Sequence, residues 1–147
     1  MSRITVTRSI EAPVETVFQT VSDISNFRKA IPHITDVQFL TDQRSGVGTR
    51  FRETRSMKGR QHATELEVTE YQPNDRVRMV ADSHGTVWDT VFEVVPNGSG
   101  ADLSMVMDAR AYKLIPKLLN PLMKGFVAKA VEADMDAVKS YCEGSGP

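Results

Sequence analysis

The chain has little of what marks several large classes of protein. One cysteine, Cys142, stands among 147 residues, so no internal disulfide can form and a reducing compartment, the cytoplasm, is expected. It lies near the end of the last periodic apolar stretch, with no acid–base partner in view, and reads as an incidental thiol. The 18 Lys and Arg are matched by 19 Asp and Glu, which leaves no basic footprint for nucleic acid. No apolar run approaches the ~20 residues of a membrane span, and the first residues carry no signal-peptide core. A Gly-rich phosphate loop, a GxSxG elbow and a Ser/His/Asp arrangement are all missing. His33, His62 and His84 are far apart on different elements, and no cluster has metal-ligand spacing. Neither a metal nor a cofactor is expected.

What is present is a long meander. Residues 47–110 read as five strands joined by four tight turns. Lys58-Gly59 is a two-residue hairpin loop that pairs Met57 with Arg60, Arg55 with His62, Glu53 with Thr64, Phe51 with Leu66 and Thr49 with Val68. On the opposite face this register sets Arg52 against Glu65 and Arg50 against Glu67, opposite charges on a wet surface. The next turn, Gln72-Pro73-Asn74-Asp75, sets Tyr71 against Arg76, Val68 against Met79, Leu66 against Ala81 and Thr64 against Ser83. His84-Gly85 then pairs Ser83 with Thr86, Ala81 with Trp88 and Met79 with Thr90, and puts Arg76 opposite Glu93 on the outer face. Asn97-Gly98-Ser99-Gly100 pairs Val94 with Leu103, Phe92 with Met105 and Thr90 with Met107.

These turns agree in sending one set of side chains to one face. Part of that face is apolar: Phe51, Leu66, Met79, Trp88, Phe92, Met105 and Met107. Part is polar: Glu53, Arg55, His62, Thr64, Ser83 and Thr90. Glu53, Arg55, His62, Thr64 and Ser83 gather towards the tips of the Lys58-Gly59 and His84-Gly85 hairpins. Charges seldom face inward unless paired, so Glu53 and Arg55 on one strand are a site signal, with exposed strand tips as the plain alternative.

Helices should cover this face. Before the meander, Arg3–Glu11 alternates as a strand, with Arg8 breaking its apolar set; Arg8 turns out at a bulge or faces the cavity mouth. Pro13 opens a helix with Val14, Val17, Phe18 and Val21 on its buried stripe, and Asp23 caps a short second one carrying Ile24, Phe27 and Ile31. Ile34–Thr41 is a further strand, with Val37 and Phe39 on one face. After the meander, Pro116 and Pro121 permit helix starts but not a continuous helix through both without a kink. From Leu122 to Cys142 the helix is plain, and its apolar stripe is Met123, Phe126, Val127, Ala130, Val131, Met135 and Val138. It is the one element long enough to cross the sheet.

The order is strand, two helices, six strands, long helix. With Ile10-Glu11-Ala12-Pro13, Val17-Phe18, Asp23 with Phe27, Gly46-Val47-Gly48-Thr49-Arg50 and Val138-Lys139, it resembles the helix-grip fold of the START-like (SRPBCC) lipid-transfer and pollen-allergen superfamily. Within that it is most similar to bacterial polyketide cyclase/dehydrase and coenzyme-Q-binding-like proteins. The resemblance implies an α+β fold: a curved antiparallel sheet of about seven strands wrapped round the C-terminal helix, with two short helices between strands 1 and 2. Residues 1–143 would form a single ligand-binding domain and 144–147 a flexible tail. The cavity between sheet and helix would hold a hydrophobic or aromatic small molecule, in a monomer or weak homodimer.

On that reading Phe51, Leu66, Met79, Trp88, Phe92, Met105, Met107, Met123, Phe126 and Val127 hold the apolar body. Glu53, Arg55, His62 and Thr64 meet the polar end, with Arg55 holding an acidic or carbonyl head, and Ser83 and Thr90 also line the ligand site. A second possibility is a polyketide cyclase/aromatase in which Arg55 holds an enolate oxygen and Glu53 or His62 moves a proton. A third is a co-chaperone or toxin-like interaction module using the outer face or the loop Asp42–Gly48.

Overall fold

Turn chemistry and period-two patterning act together to fix the sheet. The computed structural model describes residues 2–57 and 59–144, with side chains for all of these except residue 2 and residues 114–123. In chain order the elements are β1 (Ser2–Ile10), α1 (Val14–Ser22), α2 (Ile24–Ala30), β2 (Ile34–Phe39), β3 (Arg50–Met57), β4 (Arg60–Gln72), β5 (Arg76–Ser83), β6 (Thr86–Asn97), β7 (Gly100–Ala111) and α3 (Leu114–Cys142). The strands make one antiparallel sheet ordered β1-β7-β6-β5-β4-β3-β2. This is the α+β helix-grip arrangement. The hairpin residue Lys58, the end of the expected tail at 145–147 and the side chain of Met123 lie outside the described residues.

Three hairpins take the expected registers. Arg55 pairs with His62 and Phe51 with Leu66; Ala81 pairs with Trp88, and Phe92 with Met105. At the remaining turn, Gln72 rather than Tyr71 closes the hairpin, pairing with Arg76. The loop is only Pro73-Asn74-Asp75, and Asn74 takes the left-handed conformation, φ 61°. A bulge between Val68 and Glu70 then absorbs the extra residue, so Val68 meets Met79 as expected. Tyr71 is thereby turned to pair with Val77 and to pack edge-on against Phe18, their rings 5.4 Å apart.

The bulge has a second effect. Among the described residues the β4–β5 ladder ends at Glu67↔Val80, so the expected Leu66–Ala81 and Thr64–Ser83 pairs do not form. A bulge bends its strand, and the two hairpin tips separate beyond this point.

Asp23 caps α2 through Ser25 N–H at 2.8 Å, and Phe18, Val21, Ile24 and Phe27 pack into the core under α3. The backbone is helical from Leu114 to Cys142, through both Pro116 and Pro121. Pro116 falls in the first turn, where its missing N–H leaves no bond unmade. Val131, Met135 and Val138 are buried, but Phe126 is 46 % exposed and lies outside the packed core, contrary to its place on the expected stripe.

Arg8 is neither bulged out nor at the cavity. β1 pairs with β7 without irregularity from Ser2↔Ala109 to Ile10↔Ala101. Arg8 therefore stays on the concave side, where its Nε donates to Asp136 of α3 at 2.7 Å. Two residues back on the same helix, Asp134 accepts from Arg55 of β3 at 2.8 Å. β1 is one edge of the sheet and β3 is next to the other. In a flat sheet strands so placed would stand roughly 24 Å apart, at about 4.8 Å per strand. Both can reach neighbouring carboxylates on one helix only because the sheet curls round it.

Candidate functional site

A cavity of about 670 Å³ lies in the space enclosed by this curl. Its sheet wall is built from Phe51, Leu66, Met79, Ala81, Trp88, Phe92, Met105 and Met107. These belong to one face because they share strand parity and the registers above. Val127, Ala130 and Val131 of α3 form the roof, and Val21, Ile24 and Phe27 close the inner end. Thr86 and Thr90, both buried, add hydroxyls within this wall.

The other end is polar and charged. Arg55 Nε donates to Glu53 Oε2 at 3.0 Å and Nη1 to Asp134 Oδ2 at 2.8 Å. All three side chains are withdrawn from water, with exposures of 23, 13 and 15 % for Arg55, Glu53 and Asp134. Burial works against the Arg55 charge, but Glu53 and then Asp134 outweigh it and hold the guanidinium above its ordinary value. His62 lies opposite Arg55 on β4 and is exposed, as is His84 at the next hairpin tip. Thr64 and Ser83 stand on the strand segments that diverge beyond Glu67 and Val80, and both line the cavity.

The structure thus brings Phe51, Glu53, Arg55, His62, Thr64, Leu66, Met79, Ser83, Trp88, Thr90, Phe92, Met105, Met107, Phe126 and Val127 around one space. Phe126 joins it from a half-exposed position at the rim. The residue that sequence reading missed is Asp134. Its signal was available: Val127, Val131, Asp134 and Val138 fall at helical spacing, so an acid interrupts an apolar stripe that faces an inward arginine.

Among the described residues no group of three or more His, Cys, Asp or Glu is placed to hold a metal ion. Cys142 lies away from this space, its thiol donating to the Thr20 hydroxyl at 3.4 Å, and burial pushes its pKa up. A second hollow between α2 and β2 is lined in part by Arg28, Lys29, Phe39 and Arg44, with the Arg44 guanidinium 4.8 Å from the Phe39 ring centre.

The family model described as polyketide cyclase / dehydrase and lipid transport matches residues 1–143. No curated protein matches the chain. Among solved structures, a START superfamily protein from Mycobacterium smegmatis is 20 % identical with a TM-score of 0.79, covering 97 % of each chain. Protein CV1439 from Chromobacterium violaceum is 22 % identical with a TM-score of 0.74, covering 97 % of this chain and 99 % of its own. The di-domain ARO/CYC StfQ from the steffimycin biosynthetic pathway is 13 % identical with a TM-score of 0.79. The match covers 97 % of this chain and 50 % of StfQ. At these identities the likeness is one of fold.

Proposed function

Since the chain belongs to the polyketide cyclase/dehydrase and lipid transport family, we propose that it is a carrier or sensor binding a hydrophobic or aromatic small molecule between the sheet and α3. The observation that carries this reading is a cavity of about 670 Å³ with largely apolar walls and the Glu53–Arg55–Asp134 charge cluster on its lining. That size and that division suit a drug-sized ligand held by its body and oriented by one end. Met79, Met105 and Met107 give the wall a soft surface that adapts to different shapes. Trp88 supplies a flat wall and an N–H donor where apolar and polar parts meet. The lone thiol fits work in the cytoplasm.

Trp88 is the sole tryptophan, so its fluorescence reports on the cavity directly. A biphenyl-sized probe should quench or shift it saturably, and Trp88→Ala should weaken binding of the same probe, followed by calorimetry, while the protein stays folded. Saturable binding whose affinity ignores that substitution would place the ligand elsewhere.

A second reading, cyclase/aromatase chemistry in the same cavity, is favoured by one feature: two carboxylates flank a guanidinium that can hold an enolate oxygen. It requires multiple turnover of a poly-β-ketone thioester that Glu53→Gln abolishes with binding intact. We favour the carrier, because both carboxylates bond Arg55 and, among the described residues, no third side chain is seen to orient either one as a base.

A further inference from the structure

The polar end of the cavity holds one more negative charge than positive. Glu53 approaches Arg55 along β3, and Asp134 approaches it from α3. Each carboxylate bonds the guanidinium through a single oxygen, Glu53 Oε2 and Asp134 Oδ2. Glu53 Oε1 and Asp134 Oδ1 are left outside these ion pairs as acceptors. The other titratable groups on the cavity, among the described residues, are His62 and His84, both exposed.

This balance selects a head group. A carboxylate entering here would lose water and meet two like charges for each opposite one. Arg55 has three further N–H groups, but its charge is already shared between two partners. A hydroxyl or ammonium would instead donate to the carboxylate oxygens outside these ion pairs, and an ammonium would also balance the charge. Resting on the cavity-binding reading above, we infer that the ligand's polar end is a hydrogen-bond donor, a hydroxyl or an ammonium, and not a carboxylate. Arg55 is then the counter-ion that keeps two acceptors at the end of the cavity. It does not clamp an acidic head, one of the two kinds, acidic or carbonyl, expected for it from the sequence.

The test is calorimetric titration at pH 8 of the whole protein with one body and three heads: biphenyl-methylamine, biphenyl-methanol and biphenyl-carboxylate, with Trp88 fluorescence to locate the binding. The amine and the alcohol should each bind at least about fivefold more tightly than the carboxylate. A smaller gap, or the reverse order, overturns the inference. Glu53→Gln removes the excess charge and should shrink the gap between amine and carboxylate by about fivefold or more. An unchanged gap contradicts the assignment to this cluster. Should that variant not fold, Asp134→Asn carries the same comparison, and the series on the parent protein decides without either. If none of the three binds, the cavity-binding reading fails as well. If the carboxylate binds best at Trp88, that reading stands and only the head-group assignment falls.

Discussion

An arginine on the concave side of a sheet needs counter-charge, and how much it is buried sets what that partnership is worth. Arg55 has two carboxylates and little water; Arg52, on the convex side, bonds Glu65 at 2.6 Å with both side chains 41–46 % exposed. Removing one member of a withdrawn ion pair strands the others without compensation. Arg55→Met should therefore cost about 2–4 kcal/mol, below the fully buried case because some water reaches the site. Arg52→Met should cost about 0–1 kcal/mol. Urea denaturation midpoints check both, and equal losses would show that the Arg55 cluster is solvated. Gly100 raises a different constraint at the same scale. A Cβ there would stand 2.5 Å from the Ile10 carbonyl oxygen where β1 ends, so even Gly100→Ala forces backbone apart. It should destabilise by roughly 1–3 kcal/mol, and a variant as stable as the parent would mean that the β1 end moves freely.

Among the elements, α3 shows most clearly what patterning reveals and where it stops. Its buried stripe was legible at Val131, Met135 and Val138, because apolar spacing is a local property of the chain. The exposure of Phe126 was not, since it depends on how far the sheet's cover extends, and that is set by curvature. Asp136 looks like any polar helix residue until the strand bearing Arg8 is brought to it, and Asp134, which does interrupt the apolar stripe, shows its partner only once β3 brings Arg55 to it. The hairpin registers were legible from turn residues, except where Asn74 shortened a loop and a bulge repaid the residue within the same strand. The parting of β4 from β5 is tertiary and left no mark on the pattern. Two stability consequences belong to α3. Met135→Ala should cost about 2–5 kcal/mol as a core truncation. Phe126→Ala should cost less than about 1 kcal/mol, as for other substitutions outside the core. Comparable losses would put Phe126 back in the core. Gly125, exposed in this helix with nothing within 4 Å of an added Cβ, is the converse case. Gly125→Ala should stabilise by about 0.5–1 kcal/mol, read as a raised midpoint, and a lowered midpoint would show that the position needs glycine.

At the scale of the whole molecule, charge is divided between a convex face and a cavity. Hydrogen bonds from Arg52 and Arg78 hold Glu65 and Glu70 of the convex face below their usual range. A carboxylate whose pKa is depressed by folding contributes stability above its ordinary range and loses it as pH falls through the lower folded value. Stability from these groups should hold from about pH 8 to 5 and decline below about pH 4, less steeply in 1 M salt because the pairs are exposed. A denaturation midpoint that rises on acidification would contradict this.

The concave side bears on function, and its methionines allow the central claim to be read atom by atom. Met79, Met105 and Met107 line the cavity, whereas Met135 is 1 % exposed and packed in the core away from it. The decisive measurement is a methionine-methyl NMR titration with biphenyl-methanol. If the cavity is the binding site, the methyls of Met79, Met105 and Met107 shift together along one saturable isotherm while that of Met135 stays in place. Saturable binding that leaves those three unmoved, or no saturable binding to a ligand of this size, would contradict a ligand cavity between the sheet and α3.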